Sequence, residues 1–221
     1  MAVLTGKSAK VKFTAVTPTT AAAEAFTSLS GTTDRTEFRI TDGTKRHWTR
    51  DQSPVVLVNS TAHTDFVYNP VQGKLTFTGT PLTTAESALV TATVYWLTAS
   101  FLPWTREWTL DTDVDMLETT SFSTSTGDAL WRTFTAGLQG GTIDLGRIVD
   151  TPTTDTPIWF DRLNTDQDVI VELTLNASGS TDRFEAYARV MSDSYDVPRD
   201  GLQAESVTLQ IDGELYHATT E

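Results

Sequence analysis

Apolar residues in this chain return at every second position from one end to the other, a period that admits strands and leaves little room for helices. Val11, Phe13 and Ala15 share one face against Lys10, Lys12 and Thr14, and Phe38 and Ile40 alternate with Glu37, Arg39 and Thr41. Val55–Val58 is a short apolar run after Pro54, Leu75 and Phe77 follow a turn at Gly73, and Ala92, Val94 and Trp96 keep the same rule. Further on, Val169, Val171, Leu173 and Leu175 alternate with Ile170, Glu172, Thr174 and Asn176. Gly179 then offers a turn into Phe184, Ala186, Ala188 and Val190, so a hairpin is expected. Val207, Leu209 and Ile211 give another strand, closed by a tight turn at Asp212-Gly213 into Leu215 and Tyr216. Threonine, about one residue in five, suits pleated, half-solvated surfaces. About nine strands are expected.

Helical signals are few. Thr20 is placed to cap Ala21–Phe26. Asp128 is placed to cap a segment through Trp131, Phe134 and Leu138, with Gly137 or Gly140 as its stop, and Asp155–Asn164 has room for a turn or two. Strands and helices do not alternate regularly, which disfavours a doubly wound parallel sheet. The expectation is a mainly β chain, an antiparallel β-sandwich or barrel with one short flanking α-helix, forming a single domain over residues 1–221. Pro103–Thr126 mixes Trp, acid and Thr without a sustained period and reads as a long loop.

The 221 residues carry 16 basic and 29 acidic side chains, a net charge of −13. That balance argues against binding duplex DNA through phosphate neutralisation. With 38% apolar residues the chain has the means to bury a core. Cysteine is absent, removing disulfides, thiol nucleophiles and thiolate metal sites. No signal-peptide pattern opens the chain and no apolar run is long enough to span a membrane, so a soluble product of the cytoplasm is expected.

No catalytic constellation stands out. His47, His63 and His217 lack a G-x-S-x-G elbow and read as surface histidines. Asp111, Asp113, Asp115 and Glu118 imitate the opening of a calcium loop. Met116 and Phe122, however, occupy the positions that need Gly and a bidentate Glu, so a solvated acidic segment is the better reading. The glycines lack phosphate-loop spacing, and no cofactor signature is present. Of six tryptophans, Trp96 and Trp131 fall on apolar faces, leaving Trp104, Trp108 and Trp159 as platforms that could stack on sugars.

Several later segments resemble phage major tail tube proteins. They are Trp108–Asp111, Met116–Phe122, Trp131 through Ala136-Gly137-Leu138, and Gly141–Asp144. The closing stretch is similar to the last strands of the same family: Phe184–Met191, Tyr195–Pro198, Asp200–Leu202 and Ser206–Gly213. The resemblance is strongest over residues 90–217. It implies a structural, non-enzymatic subunit in the virion tail, made in the bacterial host cytoplasm, whose six copies form a ring. The rings stack into a hollow tube with a continuous β-barrel wall. The implied partners are further copies of itself and other tail proteins (tape measure, tail terminator and distal tail), with double-stranded DNA passing without specific binding and no membrane contact.

On that reading residues 103–126 form a loop onto a neighbouring subunit or ring, with Trp104, Trp108 and Phe122 as anchors and Asp111, Asp113 and Asp115 between them. An acidic bore would repel DNA phosphates, and the polar-facing Glu172 and Glu185 are candidates to line it. Two alternatives stay open: a carbohydrate-binding β-sandwich of a baseplate or fibre, and the inner-tube subunit of a contractile secretion machine.

Overall fold

The computed structural model describes residues 10–14, 17–29, 35–118, 134–149, 159, 163, 167–175 and 182–218. Their strands run in chain order as β1 (Lys10–Thr14), β2 (Thr19–Ser28), β3 (Glu37–Ile40), β4 (Val55–Val58), β5 (Thr61–His63), β6 (Phe66–Asn69) and β7 (Lys74–Phe77). A single helical turn, α1 (Thr84–Ser87), precedes β8 (Val90–Trp96), β9 (Ala99–Phe101), β10 (Thr105–Glu118), β11 (Phe134–Ile148), β12 (Val169–Thr174), β13 (Arg183–Asp196), β14 (Ala204–Ile211) and β15 (Tyr216–Ala218). The mainly β, antiparallel expectation holds.

The strands make two sheets. The first has the order β10-β11-β14-β13-β12-β1-β9, with β15 on β13; the second has the order β5-β4-β8-β2-β3-β7-β6. Within the first sheet β1 and β9 are antiparallel neighbours, pairing Lys12 with Phe101 and Thr14 with Ala99. Everything from Thr19 to Trp96 is therefore an excursion between two adjacent strands, and that excursion supplies the whole second sheet.

Each sheet has its own core. The first curls around Val11, Ile143, Leu145, Val171, Leu209 and their neighbours, with Trp159 packed on Phe13 at a ring separation of 5.4 Å. The second buries Phe38, Trp48, Leu75 and Val94. A smaller apolar layer of Val71, Leu97, Ile170 and Tyr187 joins the two. Beside it lies a polar seam, in which Arg46 on the second sheet's side reaches Glu172 and Glu185 on the first, and Tyr187 Oη donates to the Trp48 carbonyl.

The alternation placed the hairpin β12–β13 correctly, with Val169↔Ala188 and Leu173↔Phe184 in register. The turns at Gly73 and Gly213 both take positive φ, 65° and 106°. The expected Gly179 turn lies outside the described residues. More strands form than the nine expected, because three- and four-residue strands such as β5 and β9 are too short to show a period.

Three segments depart from expectation. Ala21–Phe26 is strand, not helix: β2 pairs with β8 on one side and β3 on the other, and these ladders outweigh a run of alanines. Phe134–Leu138, expected at the end of a helix, opens β11; residues 128–133 lie outside the described residues. Trp159 and Leu163 are helical, within the stretch where a turn was expected. The helix α1 is one turn held by a capping box, Thr83 accepting from the Glu86 N–H and Glu86 accepting from the Thr83 N–H. Among the described residues no helix is long and apolar enough to cross a membrane.

Candidate assembly surface

Thr105–Glu118, expected as loop, is a 14-residue strand. It pairs with β11 from Thr105↔Arg147 to Glu118↔Phe134, with a register shift between Val114 and Met116. Glycines permit this close pairing: a Cβ on Gly141 would sit 2.9 Å from the Asp111 carbonyl. The root of the hairpin packs Trp108 and Leu110 on the first core. Past that core the same side of β10 carries Val114 and Met116, which are exposed. The outer part of the hairpin is thus a two-stranded arm projecting beyond its own body.

The predicted site residues divide accordingly. Asp111, Asp113 and Asp115 are exposed on the arm. Alternate strand positions stand roughly 6.6 Å apart along the chain and do not converge on one ion. Trp104 is 59% exposed in a left-handed turn, φ 60°, its carbonyl accepting from the Ile148 N–H. Trp108 is half-buried with its Nε1 buried and unpartnered. Phe122 lies outside the described residues. Of the tryptophans considered as sugar platforms, Trp159 is fully buried, which removes it.

Glu172 and Glu185 do not line any bore: they are 4% and 1% exposed. They share the polar side of their strands, but that side is covered by the second sheet. Arg46 binds both carboxylates, Lys12 Nζ donates to Glu172 at 2.8 Å, and Arg183 Nε donates to Glu185 at 2.7 Å. His47, expected at the surface, is buried beside them, its Nδ1 2.7 Å from the Val71 carbonyl and its Nε2 3.8 Å from Glu172. His47, Glu172 and Glu185 are compact enough to suggest metal ligands, with ligand atoms within 4.8 Å of one another. Three cationic side chains already compensate the two carboxylates, so the donor set does not fit a cation.

Glutamate ionisation reflects that arrangement. Burial pushes Glu172 up, but the neighbouring His47 ring, the hydrogen bond from Lys12 and the charge of Arg46 outweigh it and hold the carboxyl far below its ordinary range.

The acidic face that solvent does reach is elsewhere. On β10, β11, β14 and the second half of β13, the residues opposite the core are Glu107, Thr109, Asp111 and Asp113; Thr142 and Asp144; Ser206, Thr208 and Gln210; and Ser192, Ser194 and Asp196. Thr208 Oγ1 donates to Asp144 at 2.7 Å across this face, and Gln210 Nε2 to the Gly141 carbonyl at 2.9 Å. Their signal was present as the polar partners of Ile143, Leu145, Val207 and Leu209.

Both edges of this four-stranded sheet are open among the described residues. β10 pairs only with β11, and β13 beyond Ala188 pairs only with β14, because β12 stops at the Val169↔Ala188 pair. A shift between Val190 and Ser192 turns Asp193 to the core side of that edge. There both carboxylate oxygens are buried without a hydrogen-bond partner, near Glu205, which is paired with Arg147 and accepts from Tyr195 Oη at 2.8 Å. Burial and the neighbouring Glu205 raise Asp193 to about 6.

No protein-family model and no curated protein matches the sequence. Among solved structures, the chain is similar to one from the tail of an empty gene transfer agent particle determined with C6 symmetry, at 15% identity and TM-score 0.46, over 55% of this chain and 87% of that one. It is similar to a chain of a native gene transfer agent virion at 13% identity and TM-score 0.45, over 54% and 88% of the two chains. It is also similar to the SPP1 tail tube at 13% identity and TM-score 0.40, over 56% and 69%.

Proposed function

We propose that this chain is a structural subunit of a phage-type tail tube, six copies closing into a ring and rings stacking around a channel that conducts the genome. The observation that carries this reading is the four-stranded sheet β10-β11-β14-β13, with a core on one face, a polar acidic surface on the other, and both edges open among the described residues. Three antiparallel steps separate β10 from β13, so the two edges run in opposite directions. A neighbour's β10 laid against β13 continues the antiparallel ladder, and closure removes the exposed edges that otherwise template aggregation.

In such a ring the polar face becomes the bore. Asp111, Asp113 and Asp144 then take the role first considered for Glu172 and Glu185. Their field, screened within about 8 Å at physiological salt, keeps phosphates from sticking without needing a specific contact. Residues 1–221 act as one subunit in this reading, with the second sheet carried alongside the tube-forming sheet. The resemblance supplies the other partners, the tape measure, terminator and distal tail proteins, and a location in the virion tail after synthesis in the host cytoplasm.

An inner-tube subunit of a contractile secretion machine uses the same geometry, and attachment of a sheath separates the two. Sugar binding is less well supported, because Trp159 is buried and Trp108 is half-buried on the core.

Negative-stain microscopy of the purified full chain tests the proposal. Rings or filaments with a central channel are the expected result. Uniform monomers at high concentration, or a channel lined by basic side chains in a reconstruction, refute it.

A further inference from the structure

In a chain of net charge −13, an exposed basic and aromatic patch stands out among the described residues. Phe101, at the end of β9, is 54% exposed, and the Nζ atoms of Lys10 and Lys12 both lie 5.0 Å from its ring centre. Lys10 is exposed, while Lys12 also reaches inward to Glu172 at 2.8 Å. The patch offers the Lys10 cation beside an apolar surface, with Lys12, already paired with Glu172, at its inner side.

The arm offers the complement. Its stretch Asp111–Glu118 carries four acids and exposes Val114, Met116 and Leu117, and neither this stretch nor Phe134–Thr142 contains a lysine or arginine. An acidic and apolar ribbon matches a basic and aromatic seat in both respects.

The two cannot meet within one chain. Phe101 lies four residues before Thr105, at the root of β10, whereas the acids begin six residues beyond Thr105, roughly 20 Å farther along the strand. Ladder pairing from Thr105 to Glu118, interrupted only by register shifts after Thr105 and Val114, holds the arm extended away from its own root. The complementary surfaces therefore sit on different elements, the patch on β1 and β9 and the acids on the outer part of β10, the arrangement of a head-to-tail contact that propagates.

We propose that the acidic arm of one copy seats on the Lys10–Lys12–Phe101 patch of another, as the contact that joins successive rings. The inference rests on the tail-tube reading and adds to it the partner surface for the arm.

The test is zero-length carbodiimide cross-linking of the assembled full chain, followed by peptide mass spectrometry. Lys10 or Lys12 joined to Asp111, Asp113, Asp115 or Glu118, in the assembled fraction and not in the monomer, is the expected result. Assemblies that form without any such link overturn the inference and leave the tail-tube reading standing, whereas failure to assemble at all overturns both.

A charge reversal gives a second readout. Lys10→Glu leaves the half-buried Lys12–Glu172 pair intact and is expected to raise the concentration needed for filament growth about tenfold at low salt. Adding Asp113→Lys is expected to restore growth. Unchanged filament growth by Lys10→Glu, or failure of the second charge to rescue it, refutes the contact.

Discussion

Glu172 and Glu185 stand directly opposite each other on β12 and β13, both buried, and Arg46 from the other sheet's side binds both of them. Like charges facing across a ladder destabilise it. Here that repulsion becomes a joint, because the cation that relieves it belongs to the second sheet.

Arg46→Met should therefore loosen the seam between the sheets. Removing one partner of a buried ionic group typically costs about 3–5 kcal/mol, because the remaining charges stay buried. A urea midpoint lowered accordingly is the expected outcome. Combining Arg46→Met with Glu172→Gln should recover part of the loss.

Acid should act at the same place. The Glu172 carboxyl titrates lower in the folded chain than its ordinary value of 4.5. Its contribution is thus present above about pH 4.5 and is lost as pH falls through the folded value. Glu172→Gln should be less stable than the parent at pH 7, with the difference shrinking below about pH 4, as thermal melts across that range would show.

Asp193 should behave in the opposite sense. Its folded value of about 6 lies above its ordinary 3.8, so its contribution is greatest below pH 3.8 and is lost as pH rises through 6. Asp193→Asn should match the parent near pH 3.5 and exceed it in stability at pH 7. A parent more stable than this variant at pH 7 would contradict the buried, unpartnered carboxylate.

Gly73 and Gly43 provide a paired test of backbone fit. Gly73 has φ 65°, and a Cβ there would come within 2.7 Å of the Arg46 carbonyl oxygen, whereas a Cβ on Gly43 meets nothing within 4 Å. Gly73→Ala should cost about 2–4 kcal/mol, combining left-handed strain with displacement of the Arg46 backbone. Gly43→Ala should be close to neutral by the same denaturation measurement.

Trimming the hairpin back to its root tests the arm. Thr112 and Gly141 face each other in the ladder, so replacing residues 113–140 by a two-residue turn leaves Trp108, Leu110, Ile143 and Leu145 in place. The trimmed chain should remain a folded monomer by sedimentation and should form no filaments. Filaments of normal appearance would contradict the role given to the arm.

How far the sequence reaches is clearest on β12–β13 and β10–β11. Alternation alone assigned Val169, Val171 and Leu173 to one face and Glu172 to the other, and it marked the polar partners of Val207 and Leu209. It also set Trp108 apart in a segment whose resemblance was readable. It missed the rest of β10, although Trp108, Leu110, Val114 and Met116 alternate there with Thr109, Asp111, Asp113 and Asp115, because Thr112 interrupts the apolar row and the exposed arm has little core beneath it to make the period plain. The loop expected at Thr105–Glu118 and the helix expected through Phe134 both gave way to cross-strand hydrogen bonds between residues far apart in the chain.

What the chain determined by itself was therefore which side chains share a face, because the pleat imposes that locally. Whether a polar face meets solvent or another sheet was decided only when the excursion from Thr19 to Trp96 folded over β12 and β13. That packing buried Glu172 and Glu185 against Arg46 and left Asp111, Asp113 and Asp144 in water, since covering a face depends on distant residues that a strand's own period does not encode.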